Sequence, residues 1–195
     1  MKKILFFALL LIFVFPVQTV LAQGSRNSEF SASYGVVSTD DLANIFGEII
    51  TSIAGYESKN ATYTGIINAG YRNLINDRWL IGLTVSYEKS TADAYVQGSK
   101  IGTQKNTYYT VAAEANYQYV SGGFFQMYSG FGIGFTQASA SLMRTDNNPD
   151  TNDKHNHINF QFTLAGFRVG KTIGLFGELG FGYKGIVNGG VSVRF

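Results

Sequence analysis

The chain has 195 residues, with 15 lysines and arginines against 13 aspartates and glutamates, and no cysteine. Lys2 and Lys3 alone account for the formal net charge of +2, so the remainder is electrically balanced. That balance excludes the basic face a nucleic-acid partner requires, and the missing cysteines exclude disulfide scaffolds, thiolate metal sites and cysteine nucleophiles.

The first element reads as an export signal over residues 1–22. Lys2 and Lys3 form a charged start, Ile4 to Val14 an unbroken apolar run, and Val20-Leu21-Ala22 a small-residue exit before Gln23. The run is short for a membrane span, and Pro16 interrupts a helix there. Cleavage after Ala22 is expected, leaving one domain over 23–195. No Cys follows Ala22, which excludes a lipoprotein anchor. No later apolar run has helix-spanning length, so any membrane integration must use strands. The 23 glycines, 16 phenylalanines and 12 tyrosines suit a small barrel.

Segments with a period of two then follow one another, the signature of strands with one apolar and one polar face. Glu29 to Val37 aligns Phe30, Ala32, Tyr34 and Val36. Ser38 to Gly55 breaks the pattern: Leu42, Ile45, Phe46, Ile49, Ile50 and Ile53 recur at helical spacing, and Ser38 with Asp41 reads as a capping box. Thr62 to Arg72 and Arg78 to Glu88 are strands again, the latter aligning Trp79, Ile81, Leu83, Val85 and Tyr87. Tyr108 to Tyr119 and Phe124 to Thr136 continue the series. His157 to Val169 slips parity at Gly166, which predicts a bulge. Leu175 to Tyr183 and Val187 to Phe195 complete eight segments.

Each strand runs about ten residues, the length a tilted strand needs to cross hydrocarbon. Short turns at 73–77, 120–123 and 170–174 alternate with long polar stretches at 89–107 and 137–156, predicted to be loops. Both termini then share one side, the periplasmic one. Aromatics sort by height. Tyr71, Trp79, Tyr117, Tyr119, Phe125 and Phe195 fall at the lower ends; Tyr63, Tyr87, Tyr109, Phe135, Phe160 and Tyr183 fall at the upper. The polar face carries Arg72, Glu88, Glu114, Glu178, Lys184 and Arg194, whereas a soluble barrel would turn its apolar face inward. The reading is therefore an all-β, eight-stranded antiparallel up-and-down transmembrane β-barrel with one amphipathic helix in the first outer loop.

The alternating strands and the last hairpin, Gly-Phe-Gly-Tyr-Lys-Gly-Ile-Val-Asn-Gly-Gly, carry a resemblance to the outer-membrane β-barrel families, of the OmpA membrane-domain and OmpX type. As architecture it covers 23–195; in sequence it is sharp only over Phe176 to Phe195. It implies residence in the Gram-negative outer membrane, against lipid and lipopolysaccharide. It also implies that Val191, Val193 and Phe195 form the aromatic-ended signal read by the barrel-assembly machinery. Activity does not transfer with this fold.

The inward charges Arg72, Glu88, Glu114, Glu178, Lys184 and Arg194 are expected to form a pairing network, since an unpaired buried charge is costly. The alternative is a gated ion path. The apolar face Leu42, Ile45, Phe46, Ile49, Ile50 and Ile53 is expected to pack on the barrel mouth as a lid, with a membrane-surface helix and a partner-docking face as alternatives. His155 and His157, near Asp150 and Asp153, could bind a divalent ion, or could serve a lipid-modifying site with Ser139 or Ser141; neither reading is preferred. The functional expectation is a non-enzymatic protein, without metal or cofactor, that has a structural role or presents its loops to a surface partner. A narrow porin-like channel is the alternative, and a lipid-modifying outer-membrane enzyme is less favoured.

Overall fold

The computed structural model describes residues 27–44, 56–96, 99–145 and 149–195; the side chains of 56–59 and 61 are not described. The export signal, 1–22, lies outside these residues. Eight strands follow in chain order: β1 (Ser28–Val36), β2 (Tyr56–Ile75), β3 (Trp79–Val96), β4 (Ser99–Ser121), β5 (Phe125–Arg144), β6 (Thr151–Val169), β7 (Ile173–Gly182) and β8 (Val187–Arg194). Each pairs antiparallel with the next, and β8 returns to β1, so the sheet is a closed barrel. Closure gives every strand two neighbours and removes the sheet edge over the barrel proper. Among the described residues no helix is long and apolar enough to cross a membrane.

Exposure follows the sequence parity. Ile81, Leu83 and Val85 on β3, Val111 on β4, Phe131 and Ile133 on β5 and Ile158, Phe162 and Leu164 on β6 all face outward. Leu83 is 58% exposed while its neighbour Thr84 is buried. Asn68, Ser86, Thr110, Glu114, Asn116, Gln161 and Glu178 fill the interior. An apolar exterior around a polar core is the reverse of a soluble protein's arrangement.

The aromatic heights are visible as ring pairs. Trp79 meets Tyr117 at 5.1 Å and Phe30 meets Tyr71 at 4.8 Å near the termini; Tyr87 meets Tyr109 at 5.1 Å near the opposite end. Above Tyr109 the strict alternation of exposed and buried residues stops, and β4 from Ser99 to Thr107 is wet on both faces save Gly102.

The strands at that end are longer than their pattern predicts. The stretches 89–107 and 137–156, predicted as loops, are instead mostly hairpin: Lys89 pairs with Thr107 and the ladder continues to Val96 with Ser99, while Gln137 pairs with Asn156 and continues to Leu142 with Thr151. A polar, two-sided hairpin has no buried face, so no alternation marks it in the sequence. β4 spans 23 residues, whereas β8 has only 8. The result is a five-stranded extension, β2 to β6, standing beyond β1, β7 and β8.

The predicted slip in β6 is present. Leu164 faces out and Gly166 in, with Ala165 between, and the register shifts against both β5 and β7 at this point. A turn at the termini end uses Asn76 and Asp77 at positive φ (52° and 57°), residue types that tolerate the left-handed region.

The seam is tight. Gly190 lies opposite Ser33 on β1 and Phe176 on β7. A Cβ at Gly190 would fall on the Ala32 carbonyl oxygen and 2.6 Å from the Ser33 Cα, whereas one at Gly189 would meet only the Phe176 carbonyl oxygen, at 3.6 Å. Gly190→Val is therefore expected to open the seam at a cost of about 1–3 kcal/mol or more, the range for overpacking. Unheated gel migration and the urea midpoint should report the loss, with Gly189→Val as the unaffected control.

Candidate functional site

The interior holds one ionic network in its middle and lower part, built around Glu29 on β1. Its Oε1 accepts from Arg72 Nη2 on β2 and its Oε2 from Arg194 Nε on β8, both at 2.5 Å, with Arg168 Nε on β6 at 3.3 Å. Arg72 continues to Glu178 Oε1 at 3.7 Å and lies over the Tyr128 ring, 5.4 Å from its centroid. Lys184, in the β7–β8 turn, reaches Glu178 at 2.8 Å and Glu114 at 3.1 Å. Tyr128 and Tyr183 donate their hydroxyls to Glu178 and Glu114, each at 2.8 Å. Asn188 Nδ2 adds a bond to Glu178 at 3.0 Å. Apart from Arg194, whose side chain meets Glu29, these charges are buried and each is held by more than one partner, the condition under which a buried ion is tolerated.

Five of the six predicted interior charges join this network: Arg72, Glu114, Glu178, Lys184 and Arg194. Glu88 does not. It lies at the hairpin end, where its Oε1 accepts from the Ser38 hydroxyl at 3.0 Å. Two charges essential to the network escaped the sequence reading. Glu29 is 1% exposed at the start of β1, on the face opposite Phe30, Ala32, Tyr34 and Val36, so the parity of the residues that follow it was the signal that could have found it. Arg168 is likewise 1% exposed and follows the β6 bulge, so its side is known only once the bulge is placed. Its guanidinium also donates to the carbonyl oxygens of Gly170 at 2.6 Å and Thr172 at 3.2 Å, tying the β6–β7 turn to the interior.

Tyr183 corrects a further expectation. Parity along β7 puts its ring in the outer aromatic belt, yet it is 2% exposed and points inward. β7 ends at Gly182, whose φ of 149° turns the chain before Tyr183, and the missing side chain of Gly132 leaves the space its hydroxyl occupies.

The middle of the lumen is closely packed. A cavity of about 10 Å³, lined by polar residues including Arg72, Glu114, Glu178, Lys184 and Asn188, lies in the middle. That is room for roughly one water molecule.

At the hairpin end the chain leaves β1 through Val37, held at a φ of 59° that a β-branched residue rarely adopts. It then dips into the mouth as a short helical turn over 39–44. The predicted capping box is formed, with Asp41 N donating to Ser38 Oγ at 2.9 Å and Ser38 N to Asp41 Oδ2 at 3.2 Å. Among the described residues the helix runs only over 39–44; Ile45, Phe46, Ile49, Ile50 and Ile53 of the predicted face lie outside the described residues. Of the predicted apolar face only Leu42 is described. Ser38, Asp40 and Asp41 are buried while Leu42 is only half-buried. The mouth offers polar partners, so the polar side docks. Asp40 meets His157 Nε2 at 3.0 Å and accepts from Asn159 Nδ2 at 2.9 Å; Thr39 donates to Asn159 at 3.0 Å; Asn44 donates to the Tyr108 hydroxyl at 3.0 Å. Burial pushes the Asp40 carboxyl above the ordinary carboxylate range, against the opposing pull of His157.

His155 stacks on His157 with centroids 5.8 Å apart, but Asp150 turns away to accept from the Arg144 backbone at 2.8 Å. Across the ladder Ser139 faces Lys154 and Ser141 faces Asn152, so neither is the partner of His157, which faces Thr136. Among the described residues no three His, Asp or Glu side chains converge as metal ligands. On the extension, Lys100 bonds Asp93 at 2.7 Å, and that hydrogen bond holds the Asp93 carboxyl below its usual range. Val191 and Val193 face outward on β8. Phe195 packs on Phe30, ring centroids 5.6 Å apart, and exchanges two backbone hydrogen bonds of 3.0 Å with Ser28.

No family model matches this chain, and no curated protein matches it. Among solved structures it is similar to the N-terminal β-barrel domain of Pseudomonas aeruginosa OprF, at 14% identity and a TM-score of 0.39, covering 89% of this chain and 100% of that one. It is also similar to Ail, the attachment invasion locus protein of Yersinia pestis, at 15% identity and a TM-score of 0.40, covering 86% of this chain and 95% of that one.

Two outcomes follow from this geometry. Lys184→Met leaves Glu114 and Glu178 short of their shared cation and should cost about 3–5 kcal/mol in urea titrations, while Lys184→Arg should retain most of the stability. The docked turn should respond to pH. A carboxyl whose pKa is raised by docking binds more protons docked than free, so docking is strongest in acid and weakens as pH rises through and above the ordinary carboxylate range. Hydrogen exchange of the Leu42 amide, which donates to Ser38 O at 3.1 Å, should show that loss of protection, and Asp40→Asn should flatten it.

Proposed function

We propose that this chain is a non-enzymatic integral protein of the outer membrane whose working part is the five-stranded extension, held above the lipid for a surface partner. The apolar exterior between the aromatic belts supports the membrane reading. Among the described residues the outward positions around Leu83, Val111, Ile133 and Phe162 carry no charged side chain. Where the upper belt ends, exposed apolar side chains give way to Asp93, Thr103, Lys105 and Gln137. On this reading the β1–β8 seam, with Val191, Val193 and Phe195, is the element the barrel-assembly machinery engages, and lipid and lipopolysaccharide surround the finished barrel.

A conducting role finds little support where the cavity in the middle of the lumen has room for roughly one water. The observation that carries the interaction reading is the edge of β6. Its pairing with β7 begins only at Gln161 with Gly182, and the Phe160 carbonyl accepts from Tyr183 N. From Thr151 to Asn159, β6 pairs among the described residues with β5 alone. An edge of this kind offers backbone donors and acceptors to an added strand, and alternate side chains then select the partner.

Successive backbone N–H groups on β6 point alternately to β5 and to the open edge. Lys154→Pro and His155→Pro therefore remove one of each. Linear peptides selected from a displayed library against the protein in nanodiscs should lose binding with one of these variants, and both variants should still migrate as folded barrels. Binders indifferent to both substitutions would count against strand addition at this edge.

A further inference from the structure

The outward face of the extension carries lysines that the fold leaves unpaired. Alternation continues from the barrel wall, so Lys89 stands above Tyr87 on β3, Lys105 above Tyr109 on β4 and Lys154 above Ile158 on β6, all on the lipid-facing side. Contacts agree: Lys105 Nζ lies 3.3 Å from the sulfur of exposed Met143, while Glu88, Tyr108 and His157 of the same strands turn to the mouth. Register gathers the three. Lys89 is opposite Thr107, Thr107 opposite Ser139 and Ser139 opposite Lys154. Lys105, opposite Ser141, is the diagonal neighbour of Lys89, about 7–8 Å away between Cα atoms. Lys154 lies two strands on from Lys105, about 10 Å across the sheet.

Among the described residues no acidic side chain or hydrogen-bond acceptor reaches the Lys89 or Lys154 ammonium group, and Lys105 meets only the Met143 sulfur. The hydroxyls of Thr107, Ser139 and Ser141, which lie between the lysines, make no hydrogen bond among these residues either. Acids nearby are turned away or engaged. Glu88 is buried beside Ser38, Asp153 has the opposite parity to Lys154, and Asp93, further up the same outward face, bonds Lys100 at 2.7 Å. Three gathered cations without a counter-charge repel one another, and an anion laid across them removes that repulsion.

What lies beneath the lysines selects the anion. Leu83 and Val85 on β3 and Tyr109 and Val111 on β4 are exposed and form an apolar strip that runs up to the patch. A soluble anion gains nothing from that strip, whereas acyl chains bury it. Among the described residues no outward lysine stands above Tyr34, Val36, Phe181 or Val187 of β1, β7 and β8, so the feature belongs to one sector of the barrel. We propose that Lys89, Lys105 and Lys154 bind the headgroup of a lipid carrying two phosphates, with its acyl chains on the apolar strip below. This site rests on the membrane reading of the exterior and deepens it. The lysines span about 15 Å, three strand spacings, which is more than one phosphate bridges, and the hydroxyls between them add donors to the phosphate oxygens.

The test places the purified protein in phosphatidylcholine nanodiscs doped with bis-phosphorylated lipid A, monophosphorylated lipid A or phosphatidylglycerol, and measures retained lipid by native mass spectrometry. Bis-phosphorylated lipid A should be retained in preference to both others. Lys89→Gln, Lys105→Gln and Lys154→Gln should each lower its affinity about fivefold, the worth of one lysine at an anionic surface, and the triple variant should lose the preference. Lys171→Gln, at the termini end, should leave retention unchanged, and every variant should migrate as a folded barrel. Quenching of Trp79, exposed on the barrel wall, by brominated phosphatidylcholine reports the membrane reading separately. Quenching without a preference for the second phosphate, or a preference that survives in the triple variant, overturns the lipid site alone. Absence of quenching overturns the site together with the membrane reading.

Discussion

One carboxylate holds this barrel closed. Glu29 receives guanidinium groups from β2, β8 and β6, so a single side chain on the first strand gathers the strands on both sides of the seam. The backbone ladder between β1 and β8 fixes the register, but it runs over only eight pairs, from Glu29 with Arg194 to Val36 with Val187. In an apolar surrounding the charges cannot be surrendered to solvent. Opening the seam would strand three cations and a carboxylate in a low-dielectric interior. The network thus couples closure of the sheet to the pairing of its contents, and Arg168 extends that coupling to the turn at 170–172.

This dependence explains what the sequence could and could not reveal. Side-chain parity is a property of the strand itself, so the inward placement of Arg72, Glu114 and Glu178 and the outward placement of Leu83 or Ile133 are legible from spacing alone. Parity fails wherever the backbone departs from the strand. Arg168 lies beyond the β6 bulge and Tyr183 beyond the turn at Gly182, and both end up on sides that counting cannot assign. The hairpins above the upper belt fail for a different reason. Both of their faces are wet, so no selection for alternating polarity writes them into the sequence, and they read as polar loops.

The same physics sets the fit between aromatic rings and glycines inside the barrel. Tyr128 lies over Gly166 and Tyr183 reaches over Gly132, so a Cβ at either glycine would collide with the ring or hydroxyl opposite it. The inward glycines of β5 and β6 are therefore the complement of two tyrosines that carry hydroxyls to Glu178 and Glu114. Read alone, inward glycines suggest a narrow barrel. Read with the tyrosines, they let the carboxylates of the central network reach their full set of donors, which is what seals the lumen.

The turn over 39–44 is governed by a different balance. Val37 bends the chain inward at a strained φ, a cost of order 1–3 kcal/mol that the docked contacts must offset. Those contacts are hydrogen bonds and one carboxylate–imidazole pair, with Leu42 contributing a half-buried side chain. Polar contacts at a partly wetted mouth are worth less net than apolar burial of the same extent, and they change with the protonation of Asp40. The acidic end is consequently the part of the interior whose order follows the medium. The central network is tied instead by several contacts at most of its charges. A rigid floor below a chemically responsive mouth lets the extension above keep its position while the turn beneath it changes.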